Sequence, residues 1–349
     1  MKQVTYVGLD VHKNSITAVL GPALTEPELM KVKNESKGWD QLAKRLEGYE
    51  VRSVYEASSC GFEVYDEMAA RGWNVVVVAP TLMPKSVKSR KRKTDREDAL
   101  KLRSDLVAYC EGGSLLPTVW IPPEIVRQDR ELVRRRLAIG GRLTRVKSSI
   151  KSLLQTHKVR PDREFKSKWS LEYRVWLEGL HADESLLAGA VKIALASMMR
   201  ELTFLMGEGK ALDRELKRLA GEVRHKSQVE AVREVAGIGI LTALTFLTEL
   251  GDVTRFQNRK QVGSYLGLTP TSHESGEADD RKGHITKMGP ARIRKVLNQA
   301  AWCGVRRDPR RGARFAQVSE RIGPNKAIVG EMRRLGIELW HRAMEAVPA

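Results

Sequence analysis

The sequence has few cysteines, few aromatic residues and no long apolar run. Its three cysteines, Cys60, Cys110 and Cys303, are far apart and form no C-x-x-C pair, so neither a disulfide framework nor a zinc site is indicated. Aromatic residues make up 6% of the chain, which argues against recognition dominated by stacking on single strands. No apolar stretch approaches the roughly 20 residues of a membrane span, and no signal peptide is visible. We therefore expect a cytoplasmic protein with no membrane partner.

Acidic residues are also in deficit. The 349 residues include 61 Lys plus Arg against 43 Asp plus Glu, which gives a formal net charge of +18. Binding to a densely anionic partner releases counterions, and an excess of this size favours nucleic acid over a small substrate. We therefore expect a nucleic-acid partner, and the length allows two or three domains.

The first 110 residues predict a mixed α/β domain. Alternating β-branched residues over 4–20 predict two strands, and "ELMKVKNES" predicts a third. A helix from Ser36, a strand ending at Glu56, a helix stopped by Gly72, an apolar strand stopped by Pro80 and a helix capped by Thr94 follow. The order βββαβαβα is the layout of the ribonuclease H-like (RuvC-like) fold.

Four carboxylates fall at the ends of these elements. Asp10 ends the first strand, Glu56 ends the fourth, and Asp95 and Asp98 share one face of the last helix. Like charges gathered at one sheet edge repel unless a cation neutralises them, and hard oxygen ligands suit Mg²⁺ or Mn²⁺. We predict a metal site for phosphoryl transfer on nucleic acid.

Two other interpretations of these acids are possible. Each of them could simply cap an element or keep the surface soluble. Sugar kinases and actin-like ATPases share the fold, but they need a glycine-rich second phosphate loop, which is not visible. His12 and Lys13 we interpret as turn residues near phosphate.

The rest of the chain predicts helices. A Gly/Pro-rich linker and a helical coiled-coil region fill residues 111–227, with apolar residues every three or four positions from 139 to 153 and again from 187 to 205. These two helices pack as a hairpin or as a pair between chains. Residues 228–349 predict a mostly α C-terminal domain. Its "GIG" resembles a helix-hairpin-helix, so Gly237 and Gly239 either approach a phosphate or permit tight helix packing.

Two basic segments are candidates for phosphate contacts. The first precedes Asp95 and contains Lys88, Arg90, Lys91, Arg92 and Lys93. The second follows residue 280 and contains Arg281, Lys282, Lys287, Arg292 and Arg294. Such residues position a nucleic acid without reading its sequence, although a solvated basic surface would look the same.

Four stretches together identify a family. They are "YVGLDVHKNS", "VYEASSCG", "KTDREDALKL" and a long segment from "VAGIGILTAL" through "GLTPTSHESG" to "RKVLNQAAW". In this order they resemble the DEDD-type transposases of bacterial insertion sequences, a family that includes Piv-like DNA invertases. The resemblance covers essentially the whole chain. It implies an N-terminal RuvC-like domain joined by a coiled-coil segment to a C-terminal transposase domain.

The resemblance also implies roles for residues. The family's four acidic residues match Asp10, Glu56, Asp95 and Asp98, and its nucleophilic serine matches Ser275, since Gly276 follows it and does not follow Ser272. The family cuts and rejoins double-stranded donor and target DNA through a phosphoserine link, in a composite site shared between subunits. It acts as a homo-oligomer, a dimer or tetramer, and some members are guided by a bridge RNA.

Two alternatives stay open at this point. A RuvC-like junction resolvase or nuclease would hydrolyse DNA with metal-bound water and would not need Ser275. A non-catalytic nucleic-acid-binding protein would need none of the four acids.

Overall fold

The computed structural model describes residues 2–83, 94–161, 163–166, 169–180, 187–272 and 282–347. The chain divides into two compact units, Met1–Ile121 and Pro122–Ala349. The first unit is a sheet covered by helices, and the second is mostly helical. The predicted mixed α/β N-terminal part and mostly helical remainder are thus confirmed. Within the described ranges, no helix combines the length and apolarity needed to cross a bilayer.

The first unit is built on a five-stranded sheet with the order β3-β2-β1-β4-β5. The strands are β1 (Val4–Val11), β2 (Ser15–Gly21), β3 (Glu28–Lys33), β4 (Glu50–Glu56) and β5 (Asn74–Val78). The first three strands are antiparallel neighbours, whereas β4 runs parallel to β1 and β5 runs parallel to β4. The carboxyl ends of β1, β4 and β5 therefore lie at one edge of the sheet.

The two faces of the sheet are covered by different helices. Val7 and Leu9 of β1 share a core with Trp39 of α1 (Ser36–Arg45) and Met68 of α2 (Glu63–Ala70). On the opposite face Tyr6 belongs to a second core, which includes Leu102 and Leu106 of α3 (Asp95–Gly112). Because helices cover both faces, six of the eight residues of the central strand β1 are buried. The alternation that predicted these strands decides which helix each side chain meets.

Helix α3 begins as its sequence predicts. The Thr94 hydroxyl accepts a hydrogen bond from the backbone N–H of Glu97 at 3.2 Å, which is the N-cap contact. Three acidic residues lie in the first turn, where the helix dipole favours negative charge. The helix ends at Gly112, and the next residue, Gly113, caps it with a φ of 66°, which is left-handed and suits glycine.

The second unit contains most of the helices. They are α4 (Glu124–Thr156), α5 (Leu171–Gly179), α6 (Gly189–Ala220), α7 (Val223–Arg233), α8 (Ile240–Leu250), α9 (Arg259–Tyr265), α10 (Ala291–Arg307), α11 (Pro309–Ile322) and α12 (Pro324–Glu345). A short antiparallel ribbon of β6 (Pro270–Ser272) and β7 (Lys282–Ile285) interrupts the series.

Helices α4 and α6 pack on each other along the two predicted apolar stripes. Ile139, Val146 and Ile150 of α4 share a core with Leu195 and Leu202 of α6. The pairing is therefore within one chain, which is the hairpin alternative of the sequence analysis. Both helices also contact α8 and so belong to the same unit as the C-terminal helices.

A buried charge network joins α4 to α7. The carboxylate of Asp129 accepts hydrogen bonds from Arg224 at 2.9 and 3.0 Å and lies 2.8 Å from Nε2 of His225. Asp129 and His225 are 6% and 7% exposed. Burial raises the pKa of Asp129, but the bonds from Arg224 and His225 outweigh it and hold that pKa below its usual range.

Candidate functional site

The pairing of the strands explains where two of the four predicted acids lie. In the parallel pair β1–β4 the register runs through Gly8 opposite Val54 and Leu9 opposite Tyr55. Asp10 and Glu56 are the next residues on their strands, so both lie at the carboxyl edge of the sheet, on the α3 side of the alternation. Asp10 is the penultimate residue of β1, and Glu56 is the last residue of β4.

A glycine allows α3 to approach β1. A Cβ at Gly8 would overlap the carbonyl oxygen of Ala99 and the backbone nitrogen of Arg103, and would lie 2.9 Å from Cβ of Arg103. The buried Arg103 holds α3 in place because its Nη2 donates to the carbonyls of Gly21 at 3.0 Å and Pro22 at 2.5 Å. This close contact brings the first turn of α3, with Asp95 and Asp98, to the sheet edge.

The structure brings Asp10 and Asp95 together through His12. Nε2 of His12 lies 3.3 Å from Oδ2 of Asp10 and 3.6 Å from Oδ1 of Asp95. The ligand atoms of these three residues all lie within 4.8 Å of one another. Among the described residues, this is the cluster of His, Cys, Asp or Glu side chains that could hold a metal ion. Glu56 and Asp98 lie outside that group.

Lys31 is the fourth member of the site. Its Nζ lies 3.3 Å from Oδ2 of Asp95. The hydrogen bond from Lys31 is the main cause that lowers the pKa of Asp95, and the nearby charges of Lys31 and His12 act in the same direction. Asp95 is therefore held as an anion.

Sequence reasoning missed Lys31, and it interpreted His12 as a turn residue near phosphate without placing its imidazole beside Asp10 and Asp95. Lys31 is 64 positions from Asp95, and an isolated lysine on an edge strand looks like a solvated charge. The signal that could have found it is the strand register, because Asp10 pairs with Thr17 and Thr17 pairs with Lys31.

Several predicted residues lie outside the described part of the chain. They are Lys88, Arg90, Lys91, Arg92, Lys93, Ser275 and Arg281. Lys282 begins β7, but the structure does not describe its side chain. Their roles stay predictions.

The remaining predicted contacts lie in the second unit. Lys287 and Arg292 are exposed, as a phosphate contact requires. Arg294 instead donates to the carbonyls of Leu266 at 3.2 Å and Gly289 at 2.6 Å, which ties it into the local fold.

The "GIG" glycines differ in their surroundings. Gly237 has a φ of +93°, and a Cβ there would lie 2.9 Å from the carbonyl oxygen of Ala300 and 3.2 Å from Cβ of Cys303. Tight packing on α10 therefore explains Gly237. Gly239 precedes α8 and has open space around it, so a phosphate contact there stays a prediction.

Comparison with known proteins identifies two matching family models. A DEDD-type IS110 transposase model matches residues 7–158, and the model described as "Transposase IS116/IS110/IS902 family" matches residues 229–316. The first runs from within β1 to just beyond α4 and includes all four predicted acids, and the second runs from within α7 to within α11.

Individual relatives agree with the two models. A putative transposase y4qE of Sinorhizobium fredii is 33% identical over 264 residues, which is 74% of this chain and 60% of the relative. The transposase for insertion sequence element IS1533 of Leptospira borgpetersenii is 25% identical over 86% of both chains. A second Sinorhizobium fredii protein, putative transposase y4rJ, is 29% identical over 82% of this chain and 75% of its own length.

Proposed function

Because the chain belongs to the IS110 family of DEDD-type insertion-sequence transposases, we propose that it cuts and rejoins DNA strands to move a mobile element. The observation that carries the proposal is the meeting of Asp10 and Asp95 at the sheet edge, 3.3 and 3.6 Å from one imidazole nitrogen. These residues come from distant parts of the chain, within the segment matched by the DEDD-type model.

The sheet supports the ribonuclease H-like interpretation of the first unit. Three antiparallel strands followed by two parallel strands, in the order β3-β2-β1-β4-β5, put the end of β1 at the centre of the sheet edge. We propose that residues 1–110 form the RuvC-like catalytic domain. In the same scheme residues 111–227 form the linker and coiled-coil part, and residues 228–349 the transposase domain.

The donor set fits a divalent cation. Asp10 and Asp95 supply anionic oxygens from two elements, with Glu56 on the adjacent strand end and Asp98 one turn further along α3, and hard oxygen donors suit Mg²⁺ or Mn²⁺. Such a cation, when bound, stabilises charge on a phosphodiester and makes an attacking hydroxyl or water easier to deprotonate. The carboxylates would hold it, and the ammonium group of Lys31, 3.3 Å from Asp95, would balance part of their charge.

Ser275 is the proposed nucleophile, on the family resemblance alone. Its hydroxyl oxygen would form an ester to the DNA phosphorus while the bond from phosphorus to a deoxyribose oxygen breaks, and the hydroxyl proton goes to the leaving oxygen. We propose that Ser275 of one subunit works with the acidic site of another, so the active form is a dimer or tetramer.

The partners follow from charge and family. A net charge of +18 supports binding to nucleic acid, and the family resemblance supports double-stranded donor and target DNA as the substrate and a bridge RNA as the guide. We propose that the protein acts in the cytoplasm. The basic segments at 88–93 and 281–292 are the proposed phosphate contacts.

One reaction tests this proposal against both alternatives. Purified protein is incubated with Mg²⁺, plasmids that carry the element boundary and its target, and RNA transcribed from the flanking segment. The readouts are recombinant DNA and a protein–DNA adduct that survives denaturation. We expect Asp10→Asn and Ser275→Ala to abolish both readouts.

Matched controls separate the outcomes. Glu97→Gln removes an exposed acid from the first turn of α3, beside the candidate site, and it is the control for Asp10→Asn. Ser272→Ala removes the serine nearest to Ser275 in the sequence and is the control for Ser275→Ala. Both control variants should retain activity. Cleavage by Ser275→Ala without an adduct would favour a resolvase. If Asp10→Asn left the DNA products the same as those seen with the unaltered protein, a non-catalytic binding protein would be favoured.

A further inference from the structure

One row of side chains crosses the sheet beneath the first turn of α3. Asp10 on β1 pairs with Thr17 on β2, and Thr17 pairs with Lys31 on β3. Directly paired residues project on the same face of a sheet. Gly8 lies two residues before Asp10 on the same face of β1 and packs against Ala99 and Arg103 of α3. The row therefore faces α3. Both ends of the row belong to the site, because Asp10 contacts His12 and Lys31 contacts Asp95.

The middle residue of the row has an unused hydrogen-bonding group. Thr17 is 3% exposed, and its hydroxyl oxygen has no hydrogen-bond partner among the described residues. A buried hydroxyl of this kind is destabilising unless something satisfies it. Thr17 lies between Asp10 and Lys31 on the face of the sheet that carries the site.

His12 occupies a position that suits a ligand. Two atoms bound side by side to one cation at about 2.1 Å are separated by about 3 Å. Nε2 of His12 lies 3.3 Å from a carboxylate oxygen of Asp10 and 3.6 Å from one of Asp95. Both separations are close to that value, and the ligand atoms of all three residues lie within 4.8 Å of one another.

The turn that carries His12 is held by hydrogen bonds. The backbone N–H of His12 donates to the carbonyl of Ser15 at 2.9 Å, and the side-chain amide of Asn34 donates to the carbonyl of His12 at 3.0 Å. Asn34 in turn accepts a hydrogen bond from the indole of Trp39 at 3.2 Å. The imidazole is thus presented to the two carboxylates by a fixed backbone, as a preorganised ligand should be.

We propose that His12 is a protein ligand of the divalent cation together with Asp10 and Asp95, and that the Thr17 hydroxyl hydrogen-bonds to the water ligands of that cation. This inference rests on the proposed function, because it concerns the same metal site. It adds a nitrogen ligand to a site that the sequence predicts to be all carboxylate.

The consequence is a change in metal preference. Mg²⁺ prefers oxygen ligands, whereas transition-metal ions accept imidazole more readily. The site should therefore bind Mn²⁺ more tightly than Mg²⁺, by a margin that depends on His12. Lys31 has the opposite effect, because its ammonium group competes with the cation for Asp95.

The deciding measurement is electron spin echo spectroscopy of Mn²⁺ bound to the full, untagged chain without DNA. A directly bound imidazole adds nitrogen-14 modulation to the Mn²⁺ signal. We expect this modulation in the unchanged protein and in His157→Gln, which removes an exposed imidazole elsewhere. We expect none in His12→Gln, and a weakening of Mn²⁺ binding by about tenfold or more.

Two further variants separate this inference from the proposed site. Lys31→Met should tighten Mn²⁺ binding by up to about fivefold, since an exposed ion pair is worth little. Asp10→Asn should weaken the binding of both Mg²⁺ and Mn²⁺. Circular dichroism verifies that each variant is folded.

The outcomes distinguish the two claims. Nitrogen-14 modulation that persists in His12→Gln, or is missing from the unchanged protein, would overturn the role of His12 as a ligand. If Asp10→Asn nevertheless weakens binding of both ions, the proposed metal site stands without His12. If Asp10→Asn binds both ions as tightly as the unchanged protein, the proposed site itself is wrong.

Discussion

Gly8→Ala should disrupt the candidate site without changing any of its charged residues. The added methyl group would lie 2.9 Å from Cβ of Arg103 and closer still to backbone atoms of Ala99 and Arg103. Carbon atoms prefer separations of about 3.5 to 4.0 Å, so the contact with Arg103 alone requires a shift of at least about 0.6 Å. The backbone neighbours cannot rotate away, which makes a displacement of α3 on the order of 1 Å the simplest response.

That displacement has two measurable effects. Overpacking of this kind costs about 1 to 3 kcal/mol in the free energy of unfolding. Asp95 lies one turn before Ala99, so it moves with the helix and away from Asp10. A misplacement of about 1 Å at a reacting centre can slow catalysis about 100-fold.

The assay compares Gly8→Ala with Gly112→Ala. Gly112 lies in the last turn of the same helix, and a Cβ there meets nothing within 4 Å. Urea denaturation gives the free energy of unfolding, Mn²⁺ titration gives the affinity of the site, and DNA cleavage gives the rate. We expect losses in all three only for Gly8→Ala. Native stability and native Mn²⁺ affinity in Gly8→Ala would refute the claim that close packing of α3 on β1 builds the site.

Four further variants test other features of the structure. Thr17→Val keeps the shape but removes the unpartnered hydroxyl; calorimetry should show weaker Mn²⁺ binding, and urea denaturation should show no loss of metal-free stability. The lowered pKa of Asp129 contributes stability above the unfolded-state pKa of about 3.9 that is lost as pH falls through the lower folded-state value. Asp129→Asn should therefore lose about 3 to 5 kcal/mol at pH 7 and flatten the acid dependence measured by urea denaturation between pH 5 and pH 2. Gly237→Ala should lower the melting temperature, whereas Gly239→Ala should not; a drop in DNA affinity for Gly239→Ala alone would support a phosphate contact.

Local sequence rules were sufficient for the elements that carry the predicted acids. The fourth strand ends at Glu56, and the Thr94 side chain caps α3, as the sequence indicates. Strand alternation and helix capping depend on neighbours within a few positions, so a single sequence can report them. The same rules placed Asp95 and Asp98 on one helix face before any tertiary contact was known.

The partners of those acids depend on distant residues. Lys31 reaches Asp95 only because the β1–β2 and β2–β3 registers align it with Asp10 through Thr17. Likewise, the packing of Gly237 on α10 joins residues more than 60 positions apart. No local pattern specifies such pairings, because they are fixed by the packing of whole elements.

The sequence by itself therefore determined the order of the elements in the first unit, the basic charge and the family, and it predicted the four acids. Hydrophobic periodicity, capping chemistry and composition are properties of the chain that do not depend on how it packs. Only the tertiary structure decided that Asp10 and Asp95 meet at His12, that Lys31 faces them, and that Gly8 lets α3 come close enough. Those distances are set by strand register and by close packing of backbone on backbone, which arise only when the sheet and the helix form together.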